Sequence, residues 1–135
     1  MTGEKMNRFD LEERLINFAV MMVEICEEIT DSRAGIHLAG QLIRSGSSPA
    51  LNYGEAQSGE SRKDFLHKIK IVLKELRESY VCLKIIFRAK LYKSEERIKT
   101  AMKENNELIS IFIRNSETVQ MNLKNQKSKI VNPCS

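Results

Sequence analysis

The segment LIRSGSSPALNYGEA, residues 42–56, combines the apolar spacing of a helix with residues that disfavour one. Gly46 and Pro49 stand near its middle, where they cost a helix about 1 and about 3 kcal/mol relative to alanine. Close approach by a neighbouring helix can compensate for this cost, because small side chains leave room for it. The segment therefore predicts a tightly packed helical bundle, and one whose copies can pack against each other.

The chain has the size of a single domain, with 135 residues and a mass of 15.5 kDa. We predict a flexible N-terminus over 1–8, a helical domain over 9–123 and a disordered basic tail over 124–135. The cysteines Cys26, Cys82 and Cys134 have no short spacing, which favours a reducing compartment over a disulfide framework. Without a signal-peptide pattern or a membrane-length apolar run, we expect a cytoplasmic protein with no membrane partner.

The first half of the domain contains two amphipathic helical patterns. The first, at about 10–29, alternates apolar spacings of four and three, as helices packed side by side do. Ile16, Val23 and Cys26 add a flanking stripe, so we expect its buried face to be broad. The second pattern, at about 36–57, contains the opening segment and carries Asn52 on its buried stripe. A buried amide needs partners, so Asn52 is predicted to fix the register between helices.

The second half contains two longer patterns. The third helix follows Ser61, whose spacing to Asp64 matches a capping box, and is predicted to run to about Lys90. The fourth follows the N-cap residue Ser94 and is predicted to end near Leu123. Short loops between four long helices predict an all-α, left-handed, antiparallel up-down-up-down four-helix bundle.

No arrangement of residues in the sequence indicates catalysis, a metal site or a cofactor. His37 and His67 stand 30 residues apart without other ligands at metal-binding spacing. Glu55, Glu75 and Glu78 could act as paired carboxylates in acid–base chemistry. Without pocket-forming loops, we favour structural roles for them and for Asn52, in ion pairs and hydrogen bonds between helices. We therefore predict that the protein is not an enzyme.

Charge is distributed unevenly along a chain whose net charge is +4. Residues 1–34 carry a net charge of −4, whereas residues 62–103 carry +8. Basic side chains recur on one side of the third helix over about 37 Å at 1.5 Å per residue; they are Lys63, Lys70, Lys74, Arg77, Lys84 and Arg88. The pattern fits contact with a nucleic-acid backbone, and it equally fits a solvated helix face.

The third helix also carries apolar residues away from its buried stripe: Ile71, Val81, Cys82 and Ile85. A surface helix that packs on one side only does not need them there. We predict that they form an interface between copies of the chain.

Several short motifs resemble one known family. They are QLIRSG at 41–46, NYGEA at 52–56, KDF at 63–65 and KIKIVLKELRES at 68–79. These motifs resemble those of the bacterial four-helix bundle proteins encoded by intervening sequences in 23S ribosomal RNA genes. The accessory variability determinant of diversity-generating retroelements is similar. The resemblance covers about residues 9–115, with Pro49 in place of a small aliphatic residue and Gly54 in place of an arginine.

The resemblance implies a homopentameric ring with a nucleic-acid role and no catalysis. In the retroelement relatives the pentamer binds a reverse transcriptase and nucleic acid through basic surfaces. Carried over to this chain, the contacts are predicted at Arg44, Lys63, Lys70, Lys74, Arg77 and Lys84, and the charge pattern of the third helix adds Arg88. We expect low-specificity RNA or DNA binding by a homo-oligomer. The alternative is a scaffold module that binds a reverse transcriptase or another protein and has no nucleic-acid contact.

Overall fold

The structure, a computed structural model, describes residues 7–58 and 61–131. Within these ranges the chain forms four helices and no strand: α1 (Arg8–Glu27), α2 (Arg33–Gln57), α3 (Arg62–Arg88) and α4 (Glu95–Val131). The all-α four-helix bundle predicted from the sequence is confirmed.

Side-chain caps and turn residues explain where the helices begin and end. Ser61 accepts a hydrogen bond from the backbone amide of Asp64 at 3.1 Å, as the capping pattern predicts. Ser94 does the same for the amide of Arg97 at 3.1 Å. At the end of α3, Lys90 has a φ of 57°, a left-handed conformation that allows the amide of Leu91 to bond the Ile86 carbonyl.

Consecutive helices are antiparallel and pack side by side. The α1–α2, α2–α3 and α3–α4 pairs share long contacts, whereas α1 and α4 approach each other less closely. Ion pairs across this looser seam show its direction, since Arg14 meets Glu104 at 2.7 Å and Arg97 meets Glu24 at 2.6 Å. The short connections thus produce an up-down-up-down arrangement.

The core lies along the bundle axis and consists of the predicted apolar stripes. On α1 the buried residues alternate spacings of four and three: Leu11, Leu15, Phe18, Met22 and Ile25. The flanking stripe proposed for α1 is wrong in part, because Ile16 and Val23 are 39% and 42% exposed. Aromatic packing joins distant helices, with the rings of Tyr53 and Phe112 edge to face at 5.5 Å.

At Gly46 the helices α1 and α2 lie so close together that there is no room for a side chain. A Cβ atom added to Gly46 would lie 2.3 Å from Cγ and 2.8 Å from Cβ of Met22. At Gly40, by contrast, an added Cβ would meet nothing within 4 Å. The close approach predicted for the opening segment is therefore present, and it is made by Met22 of α1.

Two sequence predictions need correction. Helix α4 continues to Val131, so the disordered tail predicted from Lys124 is not seen over 124–131. Cys82 is buried, 6% exposed, and its thiol donates to the Leu38 carbonyl of α2 at 3.5 Å, so it is not part of an outer interface. Because α3 packs against both α2 and α4, its buried arc is wider than one stripe. The predictions for residues 1–6 and 132–135 lie outside the described residues.

The buried amide contact between helices is made by Asn105 and not, as the sequence predicted, by Asn52. Asn52 is half-buried, and its amide donates within α2 to the carbonyl and hydroxyl of Ser48 at 3.0 and 2.8 Å. Asn105 of α4 is fully buried and forms the polar contact to α3. Its amide oxygen accepts from the Ser79 hydroxyl at 2.8 Å, and its amide nitrogen donates to the Leu76 carbonyl at 2.9 Å. The register contact therefore lies between α3 and α4.

Candidate nucleic-acid interface

A row of four cations runs along the outer surface of α3. Lys63, Lys70, Arg77 and Lys84 stand seven residues apart, and we call them the basic row. The first three are exposed and Lys84 is half-buried. A seven-residue repeat returns to nearly the same side of a helix every two turns, about 10.5 Å along its axis. The row therefore presents evenly spaced positive charge.

The basic row lies on the side of α3 that faces α4. Lys63 lines a surface groove of about 800 Å³ together with Lys124 and Lys127 of α4. Farther along the helix pair, Lys99 of α4 sits 5.5 Å from the centre of the Phe87 ring. The α4 lysines extend the positive surface across the helix pair. This extension could not be predicted from the sequence, because Lys124 and Lys127 lie in the segment expected to be a disordered tail.

The cations of this surface have no acidic partner among the described residues, unlike five basic residues elsewhere in the bundle. Among the described residues, no ion pair involves Lys63, Lys70, Lys74, Arg77, Lys84 or Arg88. Other basic residues of the bundle do pair with carboxylates: Arg14, Arg44, Lys68, Lys93 and Arg97. The charge on the α3 surface is thus available to an external anion.

Aromatic rings near these cations are not free to stack on bases. Tyr80 and Phe87 are half-buried, and the ammonium of Lys84 lies 5.2 Å from the centre of the Tyr80 ring. Single-strand readers use exposed rings as platforms for bases. The surface therefore suits contact with phosphates more than recognition of bases.

Arg44 lies apart from this surface, on the seam between α2 and α3. Its guanidinium donates to the carboxylate of Glu75 at 3.0 Å and also pairs with Glu78. Glu75 is 8% exposed, so this ion pair neutralises a nearly buried charge. Glu55 of α2 pairs with Lys68 of α3 on the same seam. These contacts are structural, and Arg44 is left out of the candidate interface.

The apolar residues of α3 that were predicted to form an interface do not all lie on its outer surface. Val81 is 54% and Ile85 45% exposed, and Ile71 is half-buried on the same outer side. Glu78 stands seven residues from Ile71 and from Ile85 and pairs with Arg44 of α2. The side of α3 that carries the two isoleucines therefore lies beside α2. The outer surface of α3 therefore has an apolar flank towards α2 and a basic flank towards α4.

The titratable groups with shifted pKa values lie outside the basic surface. Burial raises the pKa of the Cys26 thiol to about 12, and burial also raises that of Cys82. A hydrogen bond from Tyr92 lowers the pKa of Glu28, which Lys93 and Arg97 lower further. Over the described ranges, no cluster of three or more His, Cys, Asp or Glu residues could hold a metal ion. None of the described helices is both long and apolar enough to span a membrane.

Comparison with known proteins agrees with this architecture. The family model described as 23S rRNA-intervening sequence protein matches residues 8–114. A solved structure of a protein with unknown function from the S23 ribosomal protein family of Bacteroides thetaiotaomicron is similar, with 26% identity and a TM-score of 0.73. The similarity covers 78% of this chain and 97% of that one. No curated protein matches the chain. Since the family model covers well over half of its length, the chain belongs to the 23S rRNA-intervening sequence protein family.

Proposed function

We propose that this protein is a non-enzymatic, self-assembling bundle that binds the phosphate backbone of RNA or DNA with low sequence specificity. The observation that carries the proposal is the basic row of α3, whose cations have no acidic partner among the described residues. A helix surface kept soluble by charge usually mixes both signs. Here α3 carries eight basic and three acidic residues, and two of those acids pair with Arg44.

The geometry supports contact with a duplex or a structured single strand. The basic row extends from Lys63 to Lys84 over about 32 Å of helix at 1.5 Å per residue. Nucleic-acid duplexes present one negative charge about every 1.7 Å along their axis, so phosphates are more closely spaced than the cations of the row. The half-buried rings of Tyr80 and Phe87 beside the row favour backbone contact over base recognition. The family name, which refers to ribosomal RNA, supports RNA as the first ligand to test.

Self-assembly would strengthen a contact that one row makes weakly. Several rows on one particle act together, because a second contact becomes intramolecular once the first has formed. The exposed residues Val81 and Ile85 provide apolar surface for such assembly beside the basic row.

The alternative is a scaffold that binds a protein such as a reverse transcriptase. The observation that favours it is the set of large apolar side chains exposed on the bundle, which includes Phe9 at 70% and Leu51 at 66%. A scaffold of this kind would not need an unpaired basic row. Binding to nucleic acid in the absence of any other protein distinguishes the two functions.

The test is an affinity measurement with a mixed-sequence RNA duplex at low salt. The variant Lys70→Gln/Arg77→Gln removes two cations from the basic row. Loss of two phosphate contacts is expected to weaken binding by about tenfold or more. The matched control, Arg8→Gln/Arg33→Gln, removes the same charge from exposed positions on α1 and α2. It is expected to change the affinity by less than about twofold.

Binding that depends equally on both pairs of residues would overturn the assignment of the surface. No binding by the wild-type protein to duplex or single-stranded RNA or DNA would overturn the proposed function. Similar affinities for unrelated sequences are expected, and a strong preference for one sequence would contradict a backbone contact.

A further inference from the structure

The outer surface of α1 and α2 carries an apolar face that the described chain leaves uncovered. Its members are large side chains exposed by at least 39%: Phe9, Ile16, Val20, Val23, Ile36 and Leu51. The face is continuous across the two helices, because Met22 touches Gly46 and the Cys26 thiol reaches the Ala39 carbonyl at 3.3 Å. These contacts bring α1 and α2 side by side, so the exposed members on the two helices lie on one side of the bundle.

Acidic residues flank the centre of this apolar face at regular spacing. Val20 is 49% exposed, and Glu13 and Glu27 stand seven residues before and after it on the same side of α1. Both are exposed, and neither takes part in an ion pair among the described residues. The α1 helix as a whole has five acidic and two basic residues. This surface therefore presents an apolar centre between two negative charges.

The outer surface of α3 presents the same arrangement with the opposite charge. Val81 is 54% exposed, and Lys74 and Arg88 stand seven residues before and after it. Both cations are exposed, and Ile85 lies beside Val81 at 45% exposure. On each helix the charges lie about 10.5 Å from the central valine, at 1.5 Å per residue. The two surfaces thus match in spacing, hydrophobicity and sign.

We infer that the α1–α2 apolar face of one copy docks on the Val81 strip of α3 in the next copy. Glu13 and Glu27 then face Lys74 and Arg88, and the valines meet between them. This contact is head-to-tail, so each copy uses two different surfaces and the assembly can close into a ring. The inference rests on the self-assembly in the proposed function and adds which surfaces meet. The basic row borders this contact, because Lys70, Arg77 and Lys84 stand four residues before Lys74, Val81 and Arg88. In the assembly Lys74 and Arg88 pair with the neighbouring copy and not with phosphate.

Charge reversal and rescue test this contact directly. Glu13→Lys/Glu27→Lys puts like charges against the strip, and Lys74→Glu/Arg88→Glu does the same from the other side. Each variant is expected to sediment or scatter as a single 15.5-kDa chain at concentrations where the wild type assembles. The combined four-site variant restores opposite charges and is expected to recover the wild-type size. All substituted positions are exposed, so circular dichroism should show an unchanged helical fold.

Each other outcome overturns the inference. If Lys74→Glu/Arg88→Glu assembles like the wild type, the α3 strip is not the docking surface and a symmetric α1–α2 contact replaces it. If the four-site variant stays a single chain, the charges do not face each other. A wild-type protein that is a single chain removes the contact altogether. RNA binding is read separately on the wild-type protein: a chain that assembles but binds no RNA contradicts the proposed function and leaves the docking contact standing.

Discussion

The α1–α2 side and the α3–α4 side of this bundle are built by opposite means. Gly46 and Met22 bring α1 and α2 together through apolar contact, and their outer surface is apolar with acidic flanks. A buried hydrogen bond between Asn105 and Ser79 joins α4 to α3, and the outer surface of α3 is rich in basic residues. The two halves therefore differ in what they expose. In our proposals the α1–α2 side meets another copy of the chain, whereas α3 carries the charge for a polyanion and, beside it, the strip that receives that copy.

Removing the buried amide of the α3–α4 side should have the largest effect on stability. Asn105→Ala loses the bonds to Ser79 and Leu76 and leaves a small cavity, so unfolding free energy is expected to fall by about 2–3 kcal/mol. Asn52→Ala is the matched control, because its bonds stay within α2. Its expected cost is less than about 1 kcal/mol. Equal losses in chemical denaturation would show that Asn105 is not the register contact.

Adding a methyl group at the close approach between α1 and α2 should lower the free energy of unfolding somewhat less than Asn105→Ala does. Gly46→Ala forces the added methyl against Met22, with an overpacking cost of about 1–3 kcal/mol. Gly40→Ala gains the same helix propensity without a clash and should stabilise by about 0.5–1 kcal/mol. The difference between the two variants in thermal or chemical unfolding isolates the contact. A Gly46→Ala variant as stable as Gly40→Ala would refute the tight approach.

Unfolding free energies alone can distinguish the cations that have an acidic partner from those that have none. Arg44→Met leaves the nearly buried carboxylate of Glu75 without its partner, so we expect a loss of about 1–2 kcal/mol. Lys70→Met on the basic row breaks no ion pair, and its effect should stay within about 0.5 kcal/mol. The same loss in both variants would mean that the basic row also stabilises the fold.

The smallest effect is expected from the hydrogen bond that Tyr92, just before α4, donates to Glu28, just after α1, at 2.8 Å. This bond lowers the pKa of Glu28 in the folded protein, so its stabilisation is present above the unfolded pKa and is lost as pH falls through the folded value. Tyr92→Phe removes the bond and keeps the ring. Denaturation midpoints measured from about pH 6 to pH 3 should then fall less steeply with acid than those of the wild type. The same slope of midpoint against pH in Tyr92→Phe and in the wild type would contradict a pKa of Glu28 lowered by this bond.

The sequence predicted the fold well because its apolar spacing follows the helix repeat. The buried stripe of α1, the caps at Ser61 and Ser94 and the close approach at Gly46 all appear in the structure. These features depend on residues near each other in sequence or on a regular period. They can therefore be derived without knowing how the helices are placed around the axis.

The predictions that failed depend on that placement. Cys82 falls outside one stripe but lies inside the bundle, because α3 contacts two helices and buries a wide arc. Ile16 and Val23 are apolar yet exposed, because they lie on the outer side of α1, away from its buried stripe. Asn52 stands on a predicted stripe, yet its amide bonds within α2, because only the packing decides whether such a group reaches another helix. The spacing of apolar residues shows on which face of its helix a residue lies. It does not show which other helix packs against that face.

The candidate interface was predictable in part for the same reason. The seven-residue spacing of Lys63, Lys70, Arg77 and Lys84 is visible in the sequence. That they have no acidic partner among the described residues is a fact of the fold, as is the pairing of Arg44 with Glu75. The structure therefore separates cations that stabilise the bundle from cations that are available to a ligand.

The salt dependence of RNA binding tests the central claim most directly. If the four cations of the basic row contact phosphates, the logarithm of the affinity should fall with the logarithm of salt with a slope of about −3.5 per row, at about 0.9 per contact. In Lys70→Gln/Arg77→Gln the slope should be shallower by about 2. A slope near zero in the wild type, or an identical slope in the variant, would contradict a phosphate-binding surface on α3.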